Sequence, residues 1–244
     1  MRKLIFIRRL SQIIFFCAFV YILWSTTYPL RGFISPQVIF KIDPLIMFLT
    51  ALSERLILPG LLFSLGMVGL TFVLGRFFCG WVCPMGTIID IAGRFKIRLG
   101  KIMFTRFKFK ARFTKHIILG AVFIFALFGI QTAWVLDPIV TTARVISLNV
   151  IPSVTMGLDK ALQFLIQKFS LYGGFYDFYR SLKSGILGVN AHFFANSLVT
   201  LGLFLIFVGA AIFATRFWCR FICPLGALYA LNASYALLER KAGK

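Results

Sequence analysis

Two short stretches of the chain hold the residues best suited to chemistry. RFFCGWVCPMG at residues 76–86 and RFWCRFICPLG at residues 216–226 carry Arg, Phe, both Cys, Pro and Gly in the same register. Cysteines at i and i+4 lie on one face of a helix, so each stretch offers two thiolates, half of a tetrahedral ligand set. We therefore expect the two stretches to meet and present four sulfurs to one centre. The predicted ligands are Cys79, Cys83, Cys219 and Cys223.

Four cysteine ligands suit an iron–sulfur cluster or zinc, and soft thiolates also select Cu(I). The Pro after each second cysteine ends the helix, and the Gly two residues later allows a tight turn around a cofactor. Cys-Pro also closes the common ferredoxin motif. These features predict an iron–sulfur cluster of the 4Fe-4S type. The alternatives are copper or another thiolate-bound metal, a separate ion in each motif, and a thiol redox or structural pair.

Four further residues near the apolar segments are candidates for a supporting role. Asp43 and Asp137 each precede a proline and are predicted at the external membrane surface, capping the helix that follows. The alternative role for these carboxylates is proton release from quinol. His116 and His192 begin the third and fourth apolar segments and are predicted as interfacial anchors, with a quinone or proton role as the alternative.

The cysteine motifs also have basic neighbours. Arg76 and Arg216 lie three residues before the first cysteine of each motif, where they can offset the negative charge of a thiolate-bound cluster. The fifth cysteine, Cys17, stands alone in an apolar segment and is predicted to be a packing residue.

The elements that must position these residues are strongly apolar. Of the 244 residues, 60% are hydrophobic, and the mean hydropathy is +0.91. Four windows without a charged side chain are long enough to cross a bilayer, at residues 10–30, 56–75, 117–136 and 193–215. The composition excludes an ordinary soluble domain and predicts an all-α integral membrane protein with four transmembrane helices.

The net charge of +20 is distributed by side rather than clustered for nucleic acid. The termini and the loop after the second window carry 19 of the Lys and Arg residues, and the opposite side carries eight. The positive-inside rule then places both termini in the cytoplasm of a multi-pass protein, in a bacterial-type inner membrane. We expect the basic loop to contact membrane lipid and not nucleic acid.

The chain is predicted to be an internal duplication. The first repeat covers residues 1–93, a basic cytoplasmic loop covers 94–116, and the second repeat covers 117–244. Each repeat holds two spans, an Asp-Pro pair and a cysteine motif, so we expect a 2+2 parallel arrangement about a pseudo-two-fold axis. An external insertion at about 145–192 in the second repeat is predicted to form one or two interfacial helices.

The segments GRFFCGWVCPMGTIID and RFWCRFICPLGAL, preceded by IDPL and LDPI, closely resemble the NapH/NosR-type family of membrane iron–sulfur proteins. That family includes ferredoxin-type quinol dehydrogenase subunits, and a related branch is a copper-handling assembly factor of cytochrome oxidase. The resemblance implies four spans, cytoplasmic cysteine motifs and electron transfer from the quinol pool. Such proteins typically continue into a ferredoxin module, whereas this sequence has no cysteine after Cys223. We therefore expect either a longer chain or a separate ferredoxin-type partner.

Together these features predict a membrane electron-transfer protein, with a quinol dehydrogenase subunit as the enzyme class. It would pass electrons between the quinone pool and a partner redox protein. Because the hydrocarbon core is about 30 Å thick, a quinol site that uses a cytoplasmic cluster is expected near the cytoplasmic face. The rival functions are a copper-binding or copper-reducing assembly factor and a non-catalytic membrane anchor of a redox complex.

Overall fold

The computed structural model describes residues 2–25, 37–56, 59–75, 77–93, 111–169, 176, 179–181, 197–213 and 216–233. Every regular element within these residues is helical, which confirms the all-α class. The helices are α1 (Arg2–Ser25), α2 (Gln37–Ile42), α3 (Pro44–Glu54), α4 (Leu61–Leu74), α5 (Phe77–Trp81), α6 (Pro84–Ala92), α7 (Ala111–Leu127), α8 (Ala133–Leu136), α9 (Pro138–Val145), α10 (Ile151–Phe169), α11 (Ser197–Phe213), α12 (Phe217–Phe221) and α13 (Pro224–Ala233). A π-helical stretch, Ile146–Val150, joins α9 to α10.

Four core helices begin at a proline that follows an Asp or a Cys. These helices are α3, α6, α9 and α13. Proline suits the first helical position, because the N–H that it lacks would have no partner there. The residue before proline is restricted to extended backbone, and Asp43, Cys83 and Asp137 adopt it with ψ of 109°, 120° and 127°. The two Asp-Pro and two Cys-Pro pairs therefore place their chemically active residues at helix N-termini.

The two halves of the chain interlock. Helix α1 packs on α5 and α6, and α7 packs on α12 and α13 in the equivalent way. The helix before each cysteine motif crosses to the other half, because α4 packs on α13 and α11 packs on α6. This exchange brings the two cysteine motifs toward the centre of the protein, where Cys83 and Cys223 belong to the hydrophobic core.

Two helical segments are long and apolar enough to cross a membrane, Phe6–Ser25 and Pro138–Lys168. Apolar helices at Pro44–Glu54, Leu61–Leu74, Phe113–Leu127 and Ser197–Ala210 are shorter. The 14 residues of α4 extend only about 21 Å, against about 30 Å for the hydrocarbon core. The four-span, 2+2 arrangement therefore stays a prediction.

The second long segment includes part of the predicted insertion. Residues 158–169 are helical as predicted, and they form the end of a continuous helical run from α9 through α10. The interfacial position of this helix stays a prediction. The run continues through Ile146–Val150 because the π-helical turn accommodates an extra residue without ending the helix.

Large apolar side chains are exposed on the outer faces of three apolar helices. Examples are Phe6 on α1, Leu62 on α4 and Leu198 on α11, which are 68%, 76% and 75% exposed. Exposed apolar surface of this extent marks contact with a membrane or a partner. Together with the two long apolar segments, it is weak evidence that the protein associates with a membrane.

Candidate metal centre

The four motif cysteines lie within electrostatic range of one another. Cys83 and Cys223 are buried, and Cys79 and Cys219 are partly buried. The thiols of Cys79 and Cys219 interact electrostatically with the thiols of both buried cysteines. Each buried thiol therefore interacts with one cysteine of its own motif and one of the other motif. Burial raises the pKa of the Cys83 and Cys223 thiols, and the neighbouring thiols raise it further. Because thiolates bind metals, a cation at this position would relieve the cost of ionising clustered, buried thiols.

The local backbone repeats almost identically in the two motifs. Helix α5 ends in a turn in which the Val82 and Cys83 amides both donate to the Phe78 carbonyl, at 3.1 and 3.0 Å. In the second motif, the Ile222 and Cys223 amides donate to the Trp218 carbonyl at 3.0 and 2.9 Å. The first cysteine of each motif therefore lies in a short helix, and the second lies after that helix has ended. The prediction that both cysteines share one helical face is wrong.

The glycine of each motif permits a close approach within a helix instead of forming a turn. Gly86 lies in α6 and Gly226 in α13. A Cβ on Gly86 would lie 2.9 Å from the carbonyl oxygen of Cys79, and a Cβ on Gly226 would lie 3.2 Å from that of Cys219. The Gly226 amide also donates to Cys223 Sγ at 3.2 Å. Each glycine therefore allows the two cysteines of its motif to stay close together.

A cavity of about 460 Å³ opens beside the two partly buried cysteines. Its lining includes Cys79 and Cys219 together with Arg8, Arg216 and Arg220. Within the described part of the chain, no three His, Cys, Asp or Glu side chains come close enough to hold one metal ion.

A charged network holds the second motif against α1 and α6. Asp90 accepts two hydrogen bonds from Arg216, at 2.8 Å from Nε and 2.6 Å from Nη2. It also accepts from Arg8 Nη2 at 2.6 Å and Gln12 Nε2 at 3.0 Å. Arg8 and Gln12 in turn donate to the Gly80 carbonyl inside the first motif, at 3.2 and 3.0 Å. The network thus ties both motifs to the N-terminal helix.

The network settles the charge of Asp90. Partial burial on its own would raise the pKa of Asp90, but the hydrogen bonds from Arg216 and Gln12 and the charges of Arg216 and Arg8 bring that pKa below its usual value. Arg216 itself adopts the left-handed backbone conformation, with φ of 56°, which is unfavourable for a residue with a side chain. Its bidentate pairing with Asp90 is the type of contact that holds such a conformation.

Sequence reasoning identified Arg216 but missed Arg8, Gln12 and Asp90. A signal was present, because Asp90 is one of only two acids on the strongly basic side of the predicted topology. An isolated acid among many basic residues is expected to pair with one of them. The sequence does not show which one, because Arg8 lies in another helix, far from Asp90 along the chain.

The predicted helix caps are confirmed. Asp43 accepts from the Leu45 amide at 3.0 Å, and Asp137 accepts from the Ile139 amide at 2.8 Å. Both carboxyl groups are fully buried and interact with each other, and Asp137 also interacts with the Cys83 and Cys223 thiols. Their predicted position at the external membrane surface stays a prediction.

The remaining candidates lie elsewhere. Arg76 and His192 are outside the described residues. His116 lies in the first turns of α7, where its ring stacks on Phe113 and its buried Nδ1 has no hydrogen-bond partner among the described residues. The side chain of Cys17 is exposed on α1, so the prediction of a residue packed inside the protein is wrong.

Comparison with known proteins supports an iron–sulfur assignment. Residues 56–102 and 196–244 each match the family described as 4Fe-4S binding domain, and each match contains one cysteine motif. An uncharacterized protein from Methanocaldococcus jannaschii is 30% identical over 107 residues, which cover 41% of this chain and 35% of that relative. The chain therefore spans about a third of the length of that curated relative. No solved structure matches the chain. The chain thus contains two segments similar to 4Fe-4S binding domains, and the cysteines of the two segments interact electrostatically.

Proposed function

We propose that the protein is a membrane electron-transfer protein that holds one 4Fe-4S cluster between its two cysteine motifs. The observation that carries the proposal is that two segments each match a 4Fe-4S binding domain and that their cysteine thiols interact electrostatically. Each motif supplies two cysteines, and a 4Fe-4S cluster needs four. When bound, the cluster supplies one-electron chemistry, and the residues around it determine its environment.

The chain's own residues suit a negatively charged, buried centre. Arg8, Arg216 and Arg220 line the cavity beside Cys79 and Cys219 and offset the charge of thiolate ligands. Cys83 and Cys223 close the inner side within the hydrophobic core and exclude water from that side. Asp90 positions Arg216 through two hydrogen bonds.

In this proposal the protein lies in a bacterial-type inner membrane with its termini in the cytoplasm, and the exposed faces of α1, α4 and α11 contact lipid. The excess of Lys and Arg on the cysteine side supports that orientation. The quinone pool supplies or accepts the electrons, and a separate ferredoxin-type protein or another redox protein is the partner. The cavity beside Cys79 and Cys219 is the route by which such a partner would approach the centre.

The test is metal analysis of the protein purified without oxygen, with iron, acid-labile sulfide and visible absorption measured together. We expect iron and sulfide in equal amounts and about four of each per chain. Cys83→Ser and Cys223→Ser should each lower the iron content to a similar extent. The double variant should be little worse than either single variant, since ligands of one centre act as a unit.

The control is Cys17→Ser, because the exposed Cys17 side chain should not affect iron binding. Copper or zinc in place of iron and sulfide would contradict the proposal and favour a copper-handling or purely structural role. Additive losses of about half in the two single variants would favour two independent sites. Reduction of the centre by a soluble quinol in lipid vesicles, lost in Cys83→Ser, then tests the link to the quinone pool.

A further inference from the structure

The cavity beside Cys79 and Cys219 has a positively charged wall. Arg8, Arg216 and Arg220 line it, and the described residues that line it include no acid. The acid nearest to this wall is Asp90, which pairs with both Arg8 and Arg216. One carboxylate balances one of the three positive charges. The cavity therefore presents an excess of positive charge to whatever approaches it.

Arg220 differs from the other two arginines of this wall. It lies in α12, its side chain is exposed, and it does not bond Asp90. Its guanidinium group has no hydrogen bond, ion pair or ring contact within the described part of the chain. A guanidinium group can donate two parallel hydrogen bonds to one carboxylate. Arg220 is therefore available to bind a carboxylate from outside the protein.

The position of Arg220 separates it from an ordinary solvated arginine. It directly follows Cys219, and the equivalent residue after Cys79 is Gly80, which also lines the cavity. A Cβ on Gly80 would meet no atom within 4 Å. One motif therefore supplies a cation beside its first cysteine, and the other motif leaves the same position open.

The lining of the cavity favours a protein surface over a small molecule. Sites for small ligands are lined mostly by apolar and aromatic side chains, whereas arginines, cysteines and glycines line this cavity of about 460 Å³. Cys83 and Cys223 are buried in the hydrophobic core, so the charged cavity is the polar approach to the cysteines. Complementary charge guides the association of proteins and fixes their orientation. An arginine-lined approach thus fits a partner with carboxylates on its surface.

We propose that the cavity mouth docks an acidic redox protein, whose surface carboxylates pair with Arg220 while its redox group faces Cys79 and Cys219. The electron transfer rests on the proposed function, but the docking of an acidic surface does not. One electron passes between the centre and the redox group of the docked protein, and no covalent bond forms or breaks. Because salt screens exposed charges, docking should weaken as the ionic strength rises.

The first experiment tests docking on the full chain without iron. Fluorescently labelled hexaglutamate is titrated with the detergent-purified protein at low salt, and binding is measured by fluorescence anisotropy. Arg220→Gln should raise the dissociation constant about fivefold, which corresponds to the loss of one exposed ion pair. Arg220→Glu should raise it further, because it replaces an attraction by a repulsion. Thermal unfolding should be unchanged in both variants, since the Arg220 side chain is exposed.

The control is Arg9→Gln, which removes the same charge from a nearby exposed position. Arg9 follows Arg8 in α1 but is turned by about 100° around the helix, and it does not line the cavity. Its dissociation constant should stay within about twofold of the wild type. Equal weakening in the Arg9 and Arg220 variants would overturn the proposal, because the peptide would then bind basic surface in general. Displacement of the peptide by inorganic phosphate far more than by chloride at equal ionic strength would also overturn it, in favour of a small-anion site.

The second experiment tests whether electrons leave the centre through this cavity. The iron-loaded protein is reduced with dithionite, freed of excess reductant, and oxidised by one of two cobalt(III) complexes of opposite charge. These are the trianion tris(oxalato)cobaltate(III) and the trication hexaamminecobalt(III), each of which takes one electron and becomes cobalt(II). Rates are measured by stopped-flow absorption and expressed per loaded chain. Arg220→Glu should slow oxidation by the anion about tenfold and accelerate oxidation by the cation.

The matched control is Arg9→Glu, which should change both rates in the same direction as Arg220→Glu but by less than about twofold. Rates that change equally in Arg220→Glu and Arg9→Glu would refute the cavity as the route of the electron. So would an Arg220→Glu variant in which the anion and the cation are affected alike. Protein without iron or sulfide would refute the proposed function and leave the peptide titration to decide on the docking surface.

Discussion

The two halves of the protein are alike where they supply ligands and different where they supply charge and polarity. In each half, the Asp-Pro pair begins one core helix and the Cys-Pro pair begins another. Seven residues after the second cysteine, however, the first half has Asp90 and the second has Ala230. Six residues after it, the first half has Ile89 and the second has Tyr229, and both side chains are buried.

This difference follows from what each role requires. One centre needs four sulfurs, so a duplicated chain must keep both cysteine pairs in the same register. An acid that anchors an arginine, or a hydroxyl that faces a carboxyl pair, is needed only once. An acid at the buried Ala230 position would also add an uncompensated charge. We therefore expect the duplicated cysteines to be the ligands and the positions that differ to hold residues that adjust their environment.

The largest effect that distinguishes the halves is expected at the motif glycines. Gly86→Ala places a Cβ 2.9 Å from the Cys79 carbonyl oxygen, and Gly226→Ala places one 3.2 Å from that of Cys219. Because the contacted carbonyl oxygen belongs to the backbone, the short helix that holds the first cysteine of the motif must shift, at a cost of about 1–3 kcal/mol. We expect Gly86→Ala to lose more iron and more thermal stability than Gly226→Ala, measured by metal analysis and thermal unfolding.

Gly80→Ala is the matched control for this comparison. Gly80 lies inside the first motif, and a Cβ there would meet no atom within 4 Å. The equivalent position in the second motif is Arg220, so a side chain is tolerated there. Equal iron loss in all three variants would show that alanine does not act on the motif through the close approach.

How far the sequence predicts this site depends on the kind of residue. The four cysteines were identified because identical residues in identical register indicate identical local structure. The caps at Asp43 and Asp137 were identified because an Asp-Pro pair has a strong local preference. The burial of these two aspartates was not, since a hydropathy window reads any charged residue between apolar segments as surface. The partners of Asp90 depend on how α1 packs on α6, and no local pattern encodes that contact.

A second, smaller effect is expected from Asp90→Asn. The substitution removes the charge that pairs with Arg216 and Arg8 and leaves hydrogen-bond donors on both without an ionised partner. Loss of hydrogen bonds between charged groups at a partly exposed site should cost about 1–2 kcal/mol of unfolding free energy. The midpoint potential of the centre should rise, because the arginine charges are then offset less. A lower potential would contradict this assignment.

The pH dependence of stability separates Asp90 from the interior acids. The network holds the pKa of Asp90 in the folded protein below its usual value, so its contribution is complete above the unfolded pKa of about 3.9. That contribution is lost as the pH falls through the lowered folded value. Thermal unfolding of the wild type and Asp90→Asn should therefore differ near pH 7 and converge at acidic pH. A difference that grows as the pH falls would show the opposite sign and refute the ion pair.

The smallest effect is expected from Tyr229→Phe, which makes the second half resemble the apolar first half at this position. The ring remains against Phe78, whose centroid lies 5.4 Å away, and the hydroxyl that is removed has no hydrogen-bond partner in the described structure. Iron content and unfolding free energy should therefore change little, within about 1 kcal/mol. If both quantities stay within this range, Tyr229 fills space as Ile89 does, and the difference between the halves here is one of packing. A clear loss of iron would show that the centre needs the hydroxyl.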